Sequence, residues 1–154
     1  GLRTTSIRLF NIYGPGQNLG NLSQGMISIY VAQALKGNKV LIKGSLERTR
    51  DFVYIDDVVS AFMSTIEHKD KLKGYFEFQI GTGKTTSVKQ FVSKIDKEFY
   101  KYKKSKKINF LSALNRSGEI PYSKADLKNN SLINWKAKFG LNKGIEDLVS
   151  KEMN

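Results

Sequence analysis

Short runs of apolar residues that end at turn residues predict four β-strands, at residues 4–10, 40–42, 52–55 and 74–80. In the last run, Phe76, Phe78 and Ile80 alternate with polar residues, which indicates a strand with one buried face. The first run is followed by Gly14-Pro15-Gly16, which predicts a loop in place of a longer strand.

Apolar residues at helical spacing predict helices between these strands. The first helix is expected to begin near Gln24 and to end at Gly37-Asn38, two residues that tolerate a left-handed backbone. The second is expected to begin with Asp56 as its N-cap. Its predicted buried face consists of Val59, Phe62, Met63 and Ile66.

A third helix follows a capping box made by Ser87 and Gln90. Its predicted buried stripe is Val88, Phe91, Val92, Ile95 and Phe99. Two shorter helices are expected at residues 125–133 and 144–153. Because strands and helices alternate, the sequence predicts an α/β fold in a single segment, residues 1–154.

Composition excludes several kinds of site. The chain has no cysteine and one histidine, so neither a disulfide framework nor a thiolate or histidine metal site is expected. No apolar run approaches the roughly 20 residues that span a bilayer, and the first residues do not form a signal peptide. We therefore expect a cytoplasmic protein with no metal and no membrane partner.

The net charge of +12 favours a polyanionic partner but does not identify one. Residues 97–107 contain six lysines and two tyrosines, a composition that suits either nucleic acid or an exposed, solvated surface. Since no nucleic-acid-binding motif accompanies these charges, the surface interpretation is favoured. Residues 80–87 are not a phosphate-binding P-loop, because the glycine that should precede Gly83-Lys84 by five residues is Phe78.

Five segments in a fixed order carry a family resemblance: RLFNIYGPGQ at 8–17, MISIYVAQALKGNKVLIKG at 26–44, RTRDFVYIDDVVSAF at 48–62, FQIGTGKTTSV at 78–88 and RSGEIPYSKADL at 116–127. Together they resemble the C-terminal portion of the NAD-dependent nucleotide-sugar epimerases and dehydratases, which are extended short-chain dehydrogenases. The resemblance implies late strands of a Rossmann sheet joined to a smaller α/β lobe that binds the substrate.

The resemblance also implies which residues contact the ligands. Asn11 would bind the diphosphate or sugar, and Met26 and Ile27 would bind it at a helix N-terminus. The remaining implied contacts are Leu41 and Lys43 with the nucleobase, Arg50 and Arg116 with the diphosphate, and Ser123 with the sugar. Phe10, Asn11 and Ile12 would lie beside the nicotinamide of NAD.

Family members bind NAD through a glycine-rich fingerprint and use a Tyr-x-x-x-Lys pair for proton transfer, and neither precedes Asn11 here. The resemblance therefore implies a substrate-binding portion with no catalytic residue of its own, taken from a homodimeric UDP-hexose or UDP-N-acetylhexosamine 4-epimerase in surface polysaccharide synthesis. A 4,6-dehydratase or decarboxylase of the same family is an alternative. A non-catalytic basic module for nucleic acid or a protein is another.

Two loops depart from the family pattern. The usual Gly-Asp-Gly is Gly44-Ser45-Leu46, and the Gly-Asp after Arg116 is Gly118-Glu119. Asp51 and Asp56 are expected to be structural, Asp51 through a neighbouring cation and Asp56 as the helix cap. An isolated half-sheet is also expected to expose apolar faces of the first strand and the second helix, and so to associate.

Overall fold

The structure, a computed structural model, describes residues 2–21, 25–103, 107–112 and 118–153. Within them, the strands are Thr4–Leu9 (β1), Asn11–Tyr13 (β2), Lys39–Ile42 (β3), Thr49–Arg50 (β4), Phe52–Tyr54 (β5), Tyr75–Ile80 (β6), Thr86–Ser87 (β7), Asn109–Ser112 (β8) and Tyr122–Ser123 (β9). The helices are Met26–Lys36 (α1), Ile55–Glu67 (α2), Val88–Lys103 (α3) and Leu141–Met153 (α4), with a 3-10 helix at Lys128–Ile133.

Parallel pairing dominates the sheets. β1 pairs with β6, β2 with β5 and β3 with β8, all in parallel. β4 lies between β7, which is antiparallel to it, and β9, which is parallel. Since helices connect these strands, the α/β class predicted from the sequence is confirmed.

The chain changes sheet between Phe10 and Asn11. The Phe10 N–H donates to the Ile80 carbonyl of β6 at 3.0 Å, whereas the Asn11 N–H donates to the Asp51 carbonyl beside β5 at 3.1 Å. β1 and β2 are therefore one extended segment that serves two different sheets. This places Asn11 at the junction of the two sheets.

Two apolar clusters form the core. The larger one packs α1, α3 and α4 around β3 and β5, and it contains the whole predicted stripe of α3 from Val88 to Phe99. The capping box is confirmed as well, because Ser87 N donates to Gln90 Oε1 at 3.0 Å and Gln90 N donates to Ser87 Oγ at 3.2 Å. The smaller cluster joins α2 and β6 to Trp135.

The predicted end of the first helix is confirmed, since α1 ends at Lys36, but other details of the helix ends were wrong. Gly37 is extended, with φ of −175°, because the chain leaves α1 directly into β3 without a left-handed turn. Residues 125–133 form a 3-10 helix only from Lys128, and the last helix begins at Leu141, three residues before the predicted start.

The predicted orientation of α2 was also wrong. Its buried residues are Asp57, Val58 and Ala61, and Asp56 makes no capping hydrogen bond. Asp57 fixes this orientation, because its carboxylate accepts the N–H groups of Lys138 and Phe139 at 2.8 and 3.0 Å. Val58 and Ala61 consequently face the cluster of β6 and Trp135.

The four apolar residues expected inside α2 instead form an exposed stripe: Val59 (54% exposed), Phe62 (45%), Met63 (53%) and Ile66 (58%). On the side of β1 away from β6, no strand pairs with it among the described residues, and Leu9 is exposed. The expectation that α2 and the first strand present apolar surface is confirmed.

We expect substitution of Phe62 and Met63 by lysine to reduce self-association and to change the free energy of unfolding by less than about 1 kcal/mol, since both side chains are exposed. Light scattering and urea denaturation measure the two effects. Phe78→Ala is the contrasting variant: this ring is fully buried, and its loss should cost about 3–5 kcal/mol. A similar loss of stability in the lysine variant would contradict the exposed assignment.

Candidate functional site

Asn11 is held at the junction of the two sheets by its side chain as well as its backbone. Its Nδ2 donates to the Asp51 carbonyl at 3.0 Å. An amide carries two N–H donors and an acceptor oxygen, so among the described residues one N–H and the Oδ1 are left for another partner. Asn11 is half-buried, and the bond to Asp51 limits its rotation.

Two cavities open on either side of this residue. One, of about 640 Å³, is lined by residues 9–17, by Gly25, Met26 and Ile27, and by Phe52 and Ile55. The other, of about 490 Å³, is lined by residues 8–11, Gln79 and Ser123. Phe10, Asn11, Ile12, Met26 and Ile27 line the larger cavity and Ser123 lines the smaller one, so each of these candidate ligand-binding residues lies in a cavity that Asn11 also lines.

The carboxylate of Asp51, which is completely buried, joins three segments next to the cavities. Oδ1 accepts the N–H and the hydroxyl of Thr82 at 2.8 and 2.6 Å. Oδ2 accepts the N–H groups of Gly83 at 2.9 Å and Ala125 at 3.1 Å. The expected cationic partner of Asp51 was therefore wrong, because backbone and hydroxyl donors surround the carboxylate.

Gly81 is required by this close packing. A Cβ at this position would lie 2.7 Å from Asp51 Oδ2 and 2.6 Å from the Ala125 Cβ. Any larger residue would push the loop after β6 away from the carboxylate. Gly81 thus serves the packing around Asp51.

Arg50 lies on β4, directly before Asp51, with Ser123 of β9 and Thr86 of β7 as its strand neighbours. Its guanidinium donates to the Thr49 carbonyl at 2.8 Å. Burial, followed by the nearby Arg48, lowers the pKa of Arg50, while Glu119 acts in the opposite direction. A guanidinium stays charged at neutral pH, so Arg50 supplies a cation beside the serine-lined cavity.

A buried ion pair between Arg48 and Glu119 was missed by the sequence reasoning. Arg48 is 7% exposed, and its guanidinium donates to Glu119, to the Lys43 carbonyl and to the Tyr30 hydroxyl. Glu119 also accepts the Ser45 N–H at 2.9 Å. The pair joins residues 71 positions apart, and only the Gly118-Glu119 departure from the family pattern hinted at it.

The loop at Gly44-Ser45-Leu46 is fixed by the same pair. Gly44 has φ of +88°, and a Cβ there would overlap Glu119 and Arg48. Leu46, which replaces the usual glycine, packs against the larger core cluster. The departure from the family pattern is thus accommodated by burial of the leucine side chain.

The two residues expected at the nucleobase lie on a separate surface. In β3, Val40 and Ile42 are buried, while Leu41 and the following Lys43 are exposed on the opposite side. Neither residue lines the two cavities around Asn11. Arg116 lies outside the described residues, and so do residues 104–106 of the lysine-rich stretch.

Comparison with known proteins identifies the family. A family model described as "NAD dependent epimerase/dehydratase family" matches residues 1–81, more than half of the chain. The chain belongs to this family. Its membership agrees with the parallel sheets and with the position of Asn11 where the chain passes between them.

Individual relatives match almost the whole chain. CDP-abequose synthase of Salmonella typhimurium is 31% identical over 95% of this chain, which covers 47% of that protein. A putative UDP-glucose 4-epimerase of Methanocaldococcus jannaschii is 30% identical over 97% of the chain, which covers 46% of it. The solved UDP-glucose 4-epimerase of Thermotoga maritima with UDP-glucose is 30% identical, with a TM-score of 0.79, 97% of this chain covered and 47% of that one.

This chain therefore spans about half the length of the relatives that it matches. No helix among the described residues is long and apolar enough to cross a membrane.

Replacing Asp51 by asparagine should lower the free energy of unfolding by about 3 kcal/mol, because the NH2 group takes the place of one carboxylate oxygen and faces the two donors from which that oxygen accepts hydrogen bonds. Urea denaturation followed by circular dichroism measures the loss. Asp70→Asn removes the same charge from an exposed position and should change stability by less than about 0.5 kcal/mol. Equal effects of the two variants would contradict the role given to Asp51.

Proposed function

We propose that this chain is the C-terminal, substrate-binding portion of an NAD-dependent nucleotide-sugar epimerase that acts on a UDP-hexose or UDP-N-acetylhexosamine. The observation that carries the proposal is the position of Asn11, fixed between two sheets and lining both cavities. Ligands of open α/β sheets bind beyond the carboxyl ends of the strands, and Asn11 lies just beyond the carboxyl end of β1.

The diphosphate is proposed to bind between Asn11, the N-terminus of α1 and the arginines. α1 has no acidic residue in its first turn, and its N-cap, Gly25, has no side chain to accept from the first N–H groups. A polar side chain, that of Gln17, lies beside this helix end and accepts the Ser28 hydroxyl. Met26 and Ile27 line the larger cavity at this end of the helix. A helix N-terminus and the planar guanidinium of Arg50 both favour phosphate oxygens, and Arg116 is proposed to act with Arg50.

The sugar and nucleobase are proposed to occupy opposite sides of the diphosphate. Ser123 lines the smaller cavity with Asn11, and a short side chain there leaves room for an N-acetyl group. Leu41 and Lys43 provide an exposed apolar and cationic surface for the nucleobase. The relatives carry CDP, UDP, dTDP and ADP names, so the choice of UDP depends on the solved relative with UDP-glucose.

NAD is proposed to lie against Phe10, Asn11 and Ile12. These residues form a wall of the larger cavity, which also has apolar contributions from Met26, Ile27 and Phe52, so the wall suits a flat nicotinamide ring. NAD bound there would supply hydride transfer to and from the sugar ring. Within this chain, Asn11 binds and orients oxygen atoms, and the apolar wall limits access of water to the ring.

The complete protein is proposed to be a cytoplasmic homodimer that makes nucleotide sugars for surface polysaccharide. The family membership supports nucleotide-sugar chemistry, and the resemblance of the sequence motifs supports the dimer.

Replacement of Arg50 by alanine should weaken UDP binding by about ten- to a hundredfold, the effect of losing charge-assisted hydrogen bonds to phosphate. Arg116→Ala should act in the same direction. Isothermal titration calorimetry of the 154-residue chain with UDP measures both. Arg3→Ala removes an identical charge from an exposed position and should leave the affinity unchanged; equal losses in all three variants would indicate non-specific charge attraction instead of a site.

We also expect the chain alone to show no interconversion of UDP-glucose and UDP-galactose, since no Tyr-x-x-x-Lys pair precedes Asn11. Chromatography of the sugar nucleotides after incubation with NAD measures this. Turnover by the pure chain would contradict the division into a substrate-binding portion and a catalytic portion.

A further inference from the structure

One acidic residue lies near two arginines at the edge of the proposed phosphate site. Glu119 makes its ion pair with Arg48, and its side chain is 18% exposed. Arg50, two residues further along, forms no ion pair among the described residues. The Glu119 carboxylate therefore binds the guanidinium of Arg48 and not that of Arg50.

Glu119 is held within electrostatic reach of Arg50 by the backbone. The Pro121 carbonyl accepts the Thr49 N–H at 2.9 Å, and Ser123 of β9 is paired with Arg50 of β4. Residues 119–123 therefore run alongside residues 48–50. In agreement, the Ser45 N–H lowers the pKa of Glu119 most, and Arg48 and Arg50 lower it further.

Arg48 is fixed more firmly than Arg50. Its guanidinium contacts the Lys43 carbonyl and the Tyr30 hydroxyl in addition to Glu119, and the side chain is almost fully buried. Arg50 is half-buried and donates only to the neighbouring Thr49 carbonyl among the described residues. These contacts hold Arg48 in its ion pair with Glu119.

We infer that Arg48 is a positioning residue that keeps Glu119 from pairing with Arg50, so that the guanidinium of Arg50 is left for the diphosphate of a nucleotide. This inference rests on the proposed function. Without Arg48, the partly exposed carboxylate of Glu119 has one other arginine beside it, and a carboxylate partly shielded from water favours pairing with a nearby cation. The resulting pair with Arg50 competes with phosphate.

A positioning role and a purely structural role of Arg48 predict different effects of removing Glu119. If the ion pair only holds the loop at residues 43–48 in place, loss of either partner weakens nucleotide binding equally. If Arg48 acts by occupying Glu119, loss of Glu119 leaves Arg50 free, and loss of both residues restores the binding that loss of Arg48 removes. A double-mutant cycle separates the two roles.

The experiment is UDP titration calorimetry on the unaltered chain, Arg48→Met, Glu119→Gln and the double variant, with the folded fraction of each checked by circular dichroism. We expect Arg48→Met to weaken binding about tenfold, and Glu119→Gln and the double variant to bind within about threefold of the unaltered chain. Lys143→Met is the control, because it removes one cation from the exposed pair with Glu146 and should leave binding unchanged.

Equal weakening by Arg48→Met, Glu119→Gln and the double variant would overturn the inference in favour of a structural role, and so would unchanged binding by Arg48→Met. If Arg48→Met does not fold, Glu119→Gln decides alone: retained affinity supports the inference, and a tenfold loss overturns it. No UDP binding by the unaltered chain would overturn the proposed function itself. Loss of binding in Arg50→Ala with normal binding in Arg48→Met would overturn only the role of Arg48.

Discussion

The candidate site depends on the hydrogen bonds made by one residue, Asp51. Its carboxylate binds the loop after β6 and the Ala125 N–H, its carbonyl accepts both the backbone and the side-chain N–H of Asn11, and its own N–H donates to Ser123. A buried carboxylate is tolerated only when donors surround it. Here those donors belong to the segments that carry the site, so the requirement to satisfy one charge also fixes the positions of Asn11 and Ser123.

Features that depend on residues close together in the chain were predictable from the sequence. The α3 stripe and the capping box at Ser87 depend on residues within a few turns of each other, and both are present as predicted. The partners of Asp51 and Arg48 were not predictable, because they lie up to 74 positions away and include backbone groups that have no side-chain signature. Of the site residues taken from the family resemblance, six line a cavity around Asn11, whereas Leu41, Lys43 and Arg50 line neither cavity and Arg116 is outside the described residues.

The wrong orientation of α2 has a different cause. Helical periodicity identifies an apolar face, but it assumes that the most apolar face is the buried one. In α2, Val58 and Ala61 pack on β6 while Val59, Phe62, Met63 and Ile66 are exposed, so the helix is apolar on two sides. Such a helix is typical of one packed between two layers, and the described residues supply only one of them. Within these residues, β1 also pairs with another strand along one edge only. The faces of a parallel sheet are, in turn, normally both covered by helices.

The excess of positive charge is a weaker guide to the ligand than its arrangement. Several lysines form exposed pairs, such as Lys101 with Glu98 and Lys143 with Glu146, and pairs of this kind contribute little to either stability or recognition. Arg48 and Arg50 differ from these, because Arg48 forms an ion pair with the partly buried Glu119 while Arg50 forms none among the described residues. A net charge of +12 raises the local concentration of any anion, but the planar guanidinium of Arg50 suits the paired oxygens of a phosphate group, as proposed for the diphosphate. That arrangement favours a nucleotide sugar over a nucleic acid, which would require a continuous cationic path along its backbone.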